Sequence, residues 1–252
     1  GMPDPLLLVR EDLLGPRDVR LASQDALEEL QQMRGLELVK ANVDSLLQLM
    51  QTNAELEEQE KPIQQVTLNR VFLGNPGTGK TTVAEIYGRI LKALGLLSKG
   101  EVLVKNPSDF VGSALGQSEE RTKTILHAAK GCVLVIDEAY GLHVKDNTTD
   151  PYKTAVIDTI VAEVQGVPGD DRCVLLLGYP DQMKEMMRNA NPGLARRFQI
   201  EKAFIFEDYN DEDLCYILKA MAEKKGWEVE FDALQAAVGV LAKERMKLNF
   251  GN

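Results

Sequence analysis

The chain has 252 residues, 44% hydrophobic and 27% charged, the make-up of a soluble globular protein large enough for one substantial core. Its net charge of −10 works against binding phosphate backbones, so nucleic acid is not an expected partner, and no apolar run approaches the roughly 20 residues of a membrane span. Three scattered cysteines and two histidines leave no disulfide framework or zinc cluster, and they point to an intracellular chain, cytoplasmic or nuclear.

Residues 1–22 carry Pro3, Pro5, Gly15 and Pro16 and read as a lead-in or linker. Helical spacing begins at Ser23, with Leu27, Leu30 and Met33 on one face, and Gly35 interrupts it. Val39, Val43, Leu46, Leu47 and Met50 mark a second helix, closed by Lys61-Pro62. Glu55, Glu57, Glu58 and Glu60 at its end form a solvated acidic face. Residues 66–73 predict a strand, and Val83, Ile86, Tyr87, Ile90, Leu91 and Leu94 predict a helix ending near Gly95.

Ser118 is expected to cap the next helix, with Glu119 and Glu120 in a first turn that favours carboxylates. Residues 132–136 and 173–177 are continuous apolar runs, as strands buried on both faces of a parallel sheet require. Residues 152–165 are helical between them. From Asn210 a helix opens with Asp211, Glu212 and Asp213 and is expected to bury Leu214, Ile217, Leu218 and Met221; another covers residues 232–247. Strand and helix alternate over residues 66–206, which predicts an α/β fold with a mostly parallel sheet and helices on both faces. His127 and His143 read as ordinary helix and loop residues, and Met183, Met186 and Met187 as packing residues.

Between a predicted strand and a predicted helix stands Gly74-Asn75-Pro76-Gly77-Thr78-Gly79-Lys80-Thr81, the spacing of a phosphate-binding P-loop. Its glycines let the backbone curl so that successive N–H groups face phosphate oxygens, and the helix behind presents its positive end to the same anion. Lys80 supplies a charge for the β- and γ-phosphates, and Thr81 offers a hydroxyl to Mg²⁺. The apolar run at 132–136 ends in Asp137-Glu138, at the sheet edge where α/β folds put their ligands. Asp137 is placed to hold Mg²⁺ through its water shell, and Glu138 to polarise an attacking water. The expected cofactors are ATP or ADP and Mg²⁺.

Gly74 through Ala84, then Val135-Ile136-Asp137-Glu138-Ala139-Tyr140, Leu177-Gly178-Tyr179 and Asn191-Pro192-Gly193 together resemble the AAA+ ATPases of the CbbX-like group. That group contains the red-type Rubisco activase and the stage V sporulation protein K. Similar domains occur in tandem in longer eukaryotic, notably fungal, proteins, and the chain resembles one such domain excised from its parent. The resemblance covers residues 24–250. It implies a P-loop core over residues 23–206 with a five-stranded sheet, and a small, incomplete helical lid over residues 207–252.

The resemblance further implies a ring, usually hexameric, of like or unlike neighbours with ATP at each boundary, acting on a protein substrate in the manner of a chaperone. Asn75, Pro76, Gly77, Thr78, Gly79, Lys80, Thr81 and Thr82 (Walker A) would surround the phosphates, with Asp137 and Glu138 as Walker B. Arg197 would be the arginine finger reaching a neighbour's γ-phosphate, with Arg196 beside it. Tyr179 would occupy the sensor-1 position, and Gly35-Leu36 would line the adenine pocket.

Two features depart from the family pattern. In the pore-loop stretch at residues 109–116, Ala114 stands where threading members carry an aromatic; Leu115 would grip polypeptide more weakly, and Phe110 is expected in the core. The residues Asn249-Phe250-Gly251-Asn252 stop short of the family's sensor-2 arginine. Two functions therefore stand side by side: an ATPase that remodels or disassembles a protein partner, and a nucleotide-gated assembly module with weak or no hydrolysis. A small-molecule kinase would need a basic substrate lid that the sequence after Asn210 lacks, and a clamp loader or helicase is disfavoured by the acidic charge.

Overall fold

Five short apolar segments pair into one parallel sheet: β1 (Arg70–Gly74), β2 (Val102–Lys105), β3 (Val133–Ile136), β4 (Cys173–Gly178) and β5 (Phe204–Phe206), in the order β2-β3-β4-β1-β5. The structure is a computed structural model that describes residues 23–64, 66–143, 150–164 and 170–245. The expected lead-in at 1–22, Gln165, and the chain end from Met246 lie outside the described residues. β3 and β4 are buried along their whole length, which is why they read as unbroken apolar runs.

Alternate strand residues feed two cores. On one face Phe72, Val133, Val135, Leu175 and Phe204 pack against α1 (Gln24–Gln32), α2 (Glu37–Glu58) and α3 (Lys80–Ala93). Phe72 stacks on Phe204 with ring centroids 5.1 Å apart, tying β1 to β5. On the other face Val71, Leu134, Ile136, Val174 and Leu176 meet α4 (Pro107–Phe110), α5 (Gln117–Ala128), α6 (Pro151–Glu163), α7 (Pro180–Asn189) and α8 (Pro192–Arg197). A hairpin of α9 (Asp211–Lys224) and α10 (Phe231–Arg245) follows β5. The expected mostly parallel, five-stranded α/β architecture is therefore present, with every strand pair parallel.

Three local expectations change. The first strand begins at Arg70 rather than Val66, because the Asn69 side chain accepts the Val174 N–H at 2.8 Å and so replaces the ladder where it would have continued. Ser118 does not cap α5: the helix opens after Gly116, whose φ is +81°, and the buried Ser118 hydroxyl accepts the Gly112 N–H at 3.0 Å. Met221 is 58% exposed, and Ile217 and Leu218 are only half-buried. A two-helix hairpin encloses too little volume to cover a full apolar stripe, so Leu214 and Ala222 alone are buried on α9. Phe110 is wholly buried as expected, whereas Leu115 is 90% exposed.

Candidate functional site

The loop between β1 and α3 is shaped by its glycines. Gly77 and Gly79 adopt φ of +77° and +87°, in the left-handed region that side chains disfavour. A Cβ on Gly74 would lie 2.6 Å from the Phe206 carbonyl oxygen, so only glycine lets β1 pass β5 here. Thr78 braces the loop from inside: its side chain is buried and donates to the Asn75 carbonyl at 2.8 Å. Lys80 reaches back along the loop, its Nζ donating to the carbonyls of Asn75 at 2.7 Å and Gly74 at 3.0 Å. Burial pushes the Lys80 pKa down, opposed by the nearby Asp137 and Asp208 carboxylates.

β3 delivers the second half of the site. Asp137 and Glu138 follow its last residue, and the Asp137 Oδ1 accepts the Glu138 N–H at 2.9 Å. Glu138 has φ +49°, an uncommon conformation for a long side chain that costs about 1–3 kcal/mol and marks a position fixed by its surroundings. From there the chain makes a 3-10 turn (Ala139–Leu142) that brings Tyr140 over the end of β4. The Tyr140 and Tyr179 rings lie 5.7 Å apart, tilted by 41°. Gly178 makes room for the Tyr140 ring, since a Cβ there would come 2.8 Å from Tyr140 Cδ1. Burial, then the Glu138 carboxylate, pushes the Tyr140 phenol up to about 12.

These elements enclose a cleft of about 400 Å³. Pro76, Gly77, Gly79, Lys80, Thr81, Thr82, Asp137, Glu138 and Tyr179, all expected from the sequence, line it together. Asn75 and Thr78 shape the loop but turn their side chains elsewhere, Asn75 to Asp208 and Thr78 inward. Gly35 and Leu36 are not among the lining residues: Gly35, at φ +65°, faces Tyr209, and Leu36 is buried in the first core. Arg197 lies outside this cleft, where its Nε donates to the Val164 carbonyl at 2.5 Å and its Nη1 to that of Gly193 at 3.0 Å. It borders a separate recess of about 100 Å³ with Arg70 and Lys202, while Arg196 is exposed.

Tyr140 and Gly178 line the cleft although the sequence reading gave them no role, and Asp208 and Tyr209, outside its lining, hold the phosphate loop through Asn75 and Thr78. Tyr140 and Gly178 sat in the motifs already quoted, so their nearness to Glu138 and Tyr179 was a usable signal. Asp208 contacts Asn75 across 133 positions, with no local pattern to announce it.

The donor set fits a hard divalent cation held jointly with phosphate. Among the described residues no group of three or more His, Cys, Asp or Glu could cage a metal alone. One hydroxyl and one carboxylate, Thr81 and Asp137, face the same cleft, and Mg²⁺ takes one or two protein ligands beside phosphates and water.

Residues 70–204 match the family described as "ATPase family associated with various cellular activities (AAA)". The chain is 39% identical over 186 residues to Protein CfxQ of Xanthobacter flavus, covering 74% of this chain and 57% of CfxQ. It is 33% identical over 231 residues to Protein CbbX of Cereibacter sphaeroides, covering 91% and 73%. It is 32% identical over 230 residues to the chloroplastic ribulose bisphosphate carboxylase/oxygenase activase of Cyanidioschyzon merolae, covering 91% and 77%. The chain thus spans little more than half the length of CfxQ and about three quarters of the other two. The solved FIGL-1 AAA domain shares the fold, with a TM-score of 0.54 and 18% identity over 84% of this chain and 66% of that one. On these matches, and on the P-loop cleft that carries them, the chain belongs to the AAA ATPase family, in its CbbX-like group.

Proposed function

We propose that this chain binds Mg²⁺-ATP in the cleft, hydrolyses it against a ring neighbour, and uses the cycle to remodel or disassemble a protein partner. The observation that carries this reading is the meeting of Lys80 and Thr81 from one strand end with Asp137 and Glu138 from another in a single cleft. The loop's N–H groups and Lys80 receive the β- and γ-phosphates, Lys80 exchanging two carbonyl partners for phosphate oxygens. Thr81 and Asp137 would hold Mg²⁺, which would neutralise phosphate charge. Glu138, exposed at the cleft mouth, orients the attacking water.

Arg197 acts in trans, leaving the Val164 and Gly193 carbonyls for the neighbour's γ-phosphate, and the exposed Arg196 stands beside it as a second cation. Tyr179 contacts the γ-phosphate side of the cleft that it lines. Residues 207–252 act as the lid. That one relative is called an activase of a carboxylase supports a protein as the substrate here, without naming which.

A second reading, a nucleotide-gated assembly module with little hydrolysis, is favoured by one observation. The loop bearing Ala114 exposes Leu115 and no aromatic for gripping a polypeptide. Phosphate release measured beside oligomer mass in Mg²⁺-ATP separates the two. The ATPase reading expects release that rises with assembly and falls about 100-fold or more in Glu138→Gln. ATP-dependent assembly with equal, negligible release in both proteins would replace it by the second reading.

A further inference from the structure

Asn191, Pro192 and Gly193 open α8, and each has a separate task. Asn191 is the N-cap: its Oδ1 accepts the Gly193 N–H at 2.8 Å, and Pro192 takes the first turn, where no N–H is needed. The other end of the same side chain donates from Nδ2 to Asp158 Oδ1 of α6 at 2.7 Å. Two residues on, a Cβ at Gly193 would lie 2.6 Å from Val161 Cγ1, so glycine lets α8 press against α6. Four further on, Arg197 Nε reaches the Val164 carbonyl at the end of α6. Asp158, Val161 and Val164 follow one another at three-residue spacing along one face of α6, so α8 meets that face at three successive points.

We propose that Asp158 and Asn191 are positioning residues that hold α8 in register on α6 and so set where Arg197 stands for a neighbouring copy. The inference rests on the reading of Arg197 as acting in trans. α8 has six residues, too few to persist as a helix alone, so its placement comes from what it is tied to. Leu194 and Phe198 bury their side chains in the second core, but apolar contact is non-directional and leaves a short helix free to turn or slide. Polar bonds at its two ends fix the register. To reach a γ-phosphate, Arg197 must give up the Val164 and Gly193 carbonyls, and its own tie to α6 goes with them. The Asn191–Asp158 bond at the opposite end remains, strengthened by the charge on its acceptor. The freed guanidinium then swings from a fixed root.

Phosphate release from single variants and from mixtures tests this. Asn191→Asp keeps an oxygen to cap α8 but sets a second carboxylate against Asp158, so the cap stays and the tie is lost. Asp158→Ala, which only removes the tie, stands if Asn191→Asp does not fold. Either variant should bind Mg²⁺-ATP within about three-fold of wild type and turn it over about ten-fold more slowly. Mixed with Lys80→Ala, whose Arg197 is intact, either should recover part of its turnover; mixed with Arg197→Ala, neither should. The exchanged pair, Asp158→Asn with Asn191→Asp, rebuilds the bond with amide and carboxylate changed over and should return turnover to within about three-fold of wild type. Unchanged turnover in the single variants overturns the inference, as does an exchanged pair no faster than Asn191→Asp. A loss that Lys80→Ala fails to complement, while it does complement Arg197→Ala, places the defect in the variant's own cleft and also overturns it. Failure to complement Arg197→Ala itself removes the trans reading, and the inference with it.

Discussion

The ammonium group of Lys80 donates to the carbonyl of Asn75 at 2.7 Å, so the loop's one cation is folded back onto the loop's own backbone. The contact gives the lysine a fixed starting point, half-buried and below its usual pKa, a short swing from the cleft it lines. Anionic phosphate offers a full negative charge, and on the proposed function nucleotide capture depends on this exchange of partners.

Gly178→Ala is expected to damage the site from beneath. The added Cβ would stand 2.8 Å from both Tyr140 Cδ1 and the Met183 side chain, with a buried strand behind it. Overpacking of this kind costs about 1–3 kcal/mol. Urea denaturation should show that loss, and a variant as stable as wild type would mean that Tyr140 and Met183 move aside freely.

Arg197→Ala separates binding from turnover. The variant should bind ATP as wild type does, because Arg197 lies outside its own cleft, while turnover falls about 10³-fold or more if the residue serves a neighbour. Mixing it with Lys80→Ala should restore part of the activity, since each protein supplies what the other lacks. No recovery over a range of mixing ratios would count against action in trans.

Ser118→Ala probes the pore-loop stretch. The buried hydroxyl is the acceptor for the Gly112 N–H, and its removal leaves that group unpaired at a cost of about 1–3 kcal/mol. The loss should appear as a lower unfolding midpoint and faster amide exchange at residues 112–116. Unchanged exchange would show that the loop does not lean on Ser118.

Tyr140 gives the site an alkaline signature. Its phenol is held neutral to about 12 in the fold, above the ordinary tyrosine value of about 10. Between those limits the unfolded chain carries fewer protons than the native one, so this group's stabilising contribution is complete below pH ~10 and is lost as pH rises through the folded value. Ultraviolet titration of Tyr140→Phe should remove a late-ionising tyrosine and soften the alkaline fall in stability. Removal of an early one instead would contradict the placement.

What could be read in advance follows from how local each feature is. The phosphate loop is contiguous, its glycines are demanded by backbone angles, and the strand ending in Asp137 announces itself by five apolar residues. Ser118 was misread because a serine near a helix start looks the same whether its hydroxyl caps that helix or is turned inward to Gly112. Met221 has helical spacing but too little neighbouring structure to cover it. Tyr209 was invisible because its partner, Thr78, is 131 residues away and the contact exists only once β1 and β5 are paired.

The claim shared by both functional readings is that the cleft at Lys80 captures nucleotide, and calorimetric titration of ATP in the presence of Mg²⁺ tests it most directly. Wild type should bind with an affinity that drops when Mg²⁺ is chelated, and Lys80→Ala should bind about 100-fold more weakly while remaining folded. Equal binding by the two proteins, or no heat from wild type, would contradict the account.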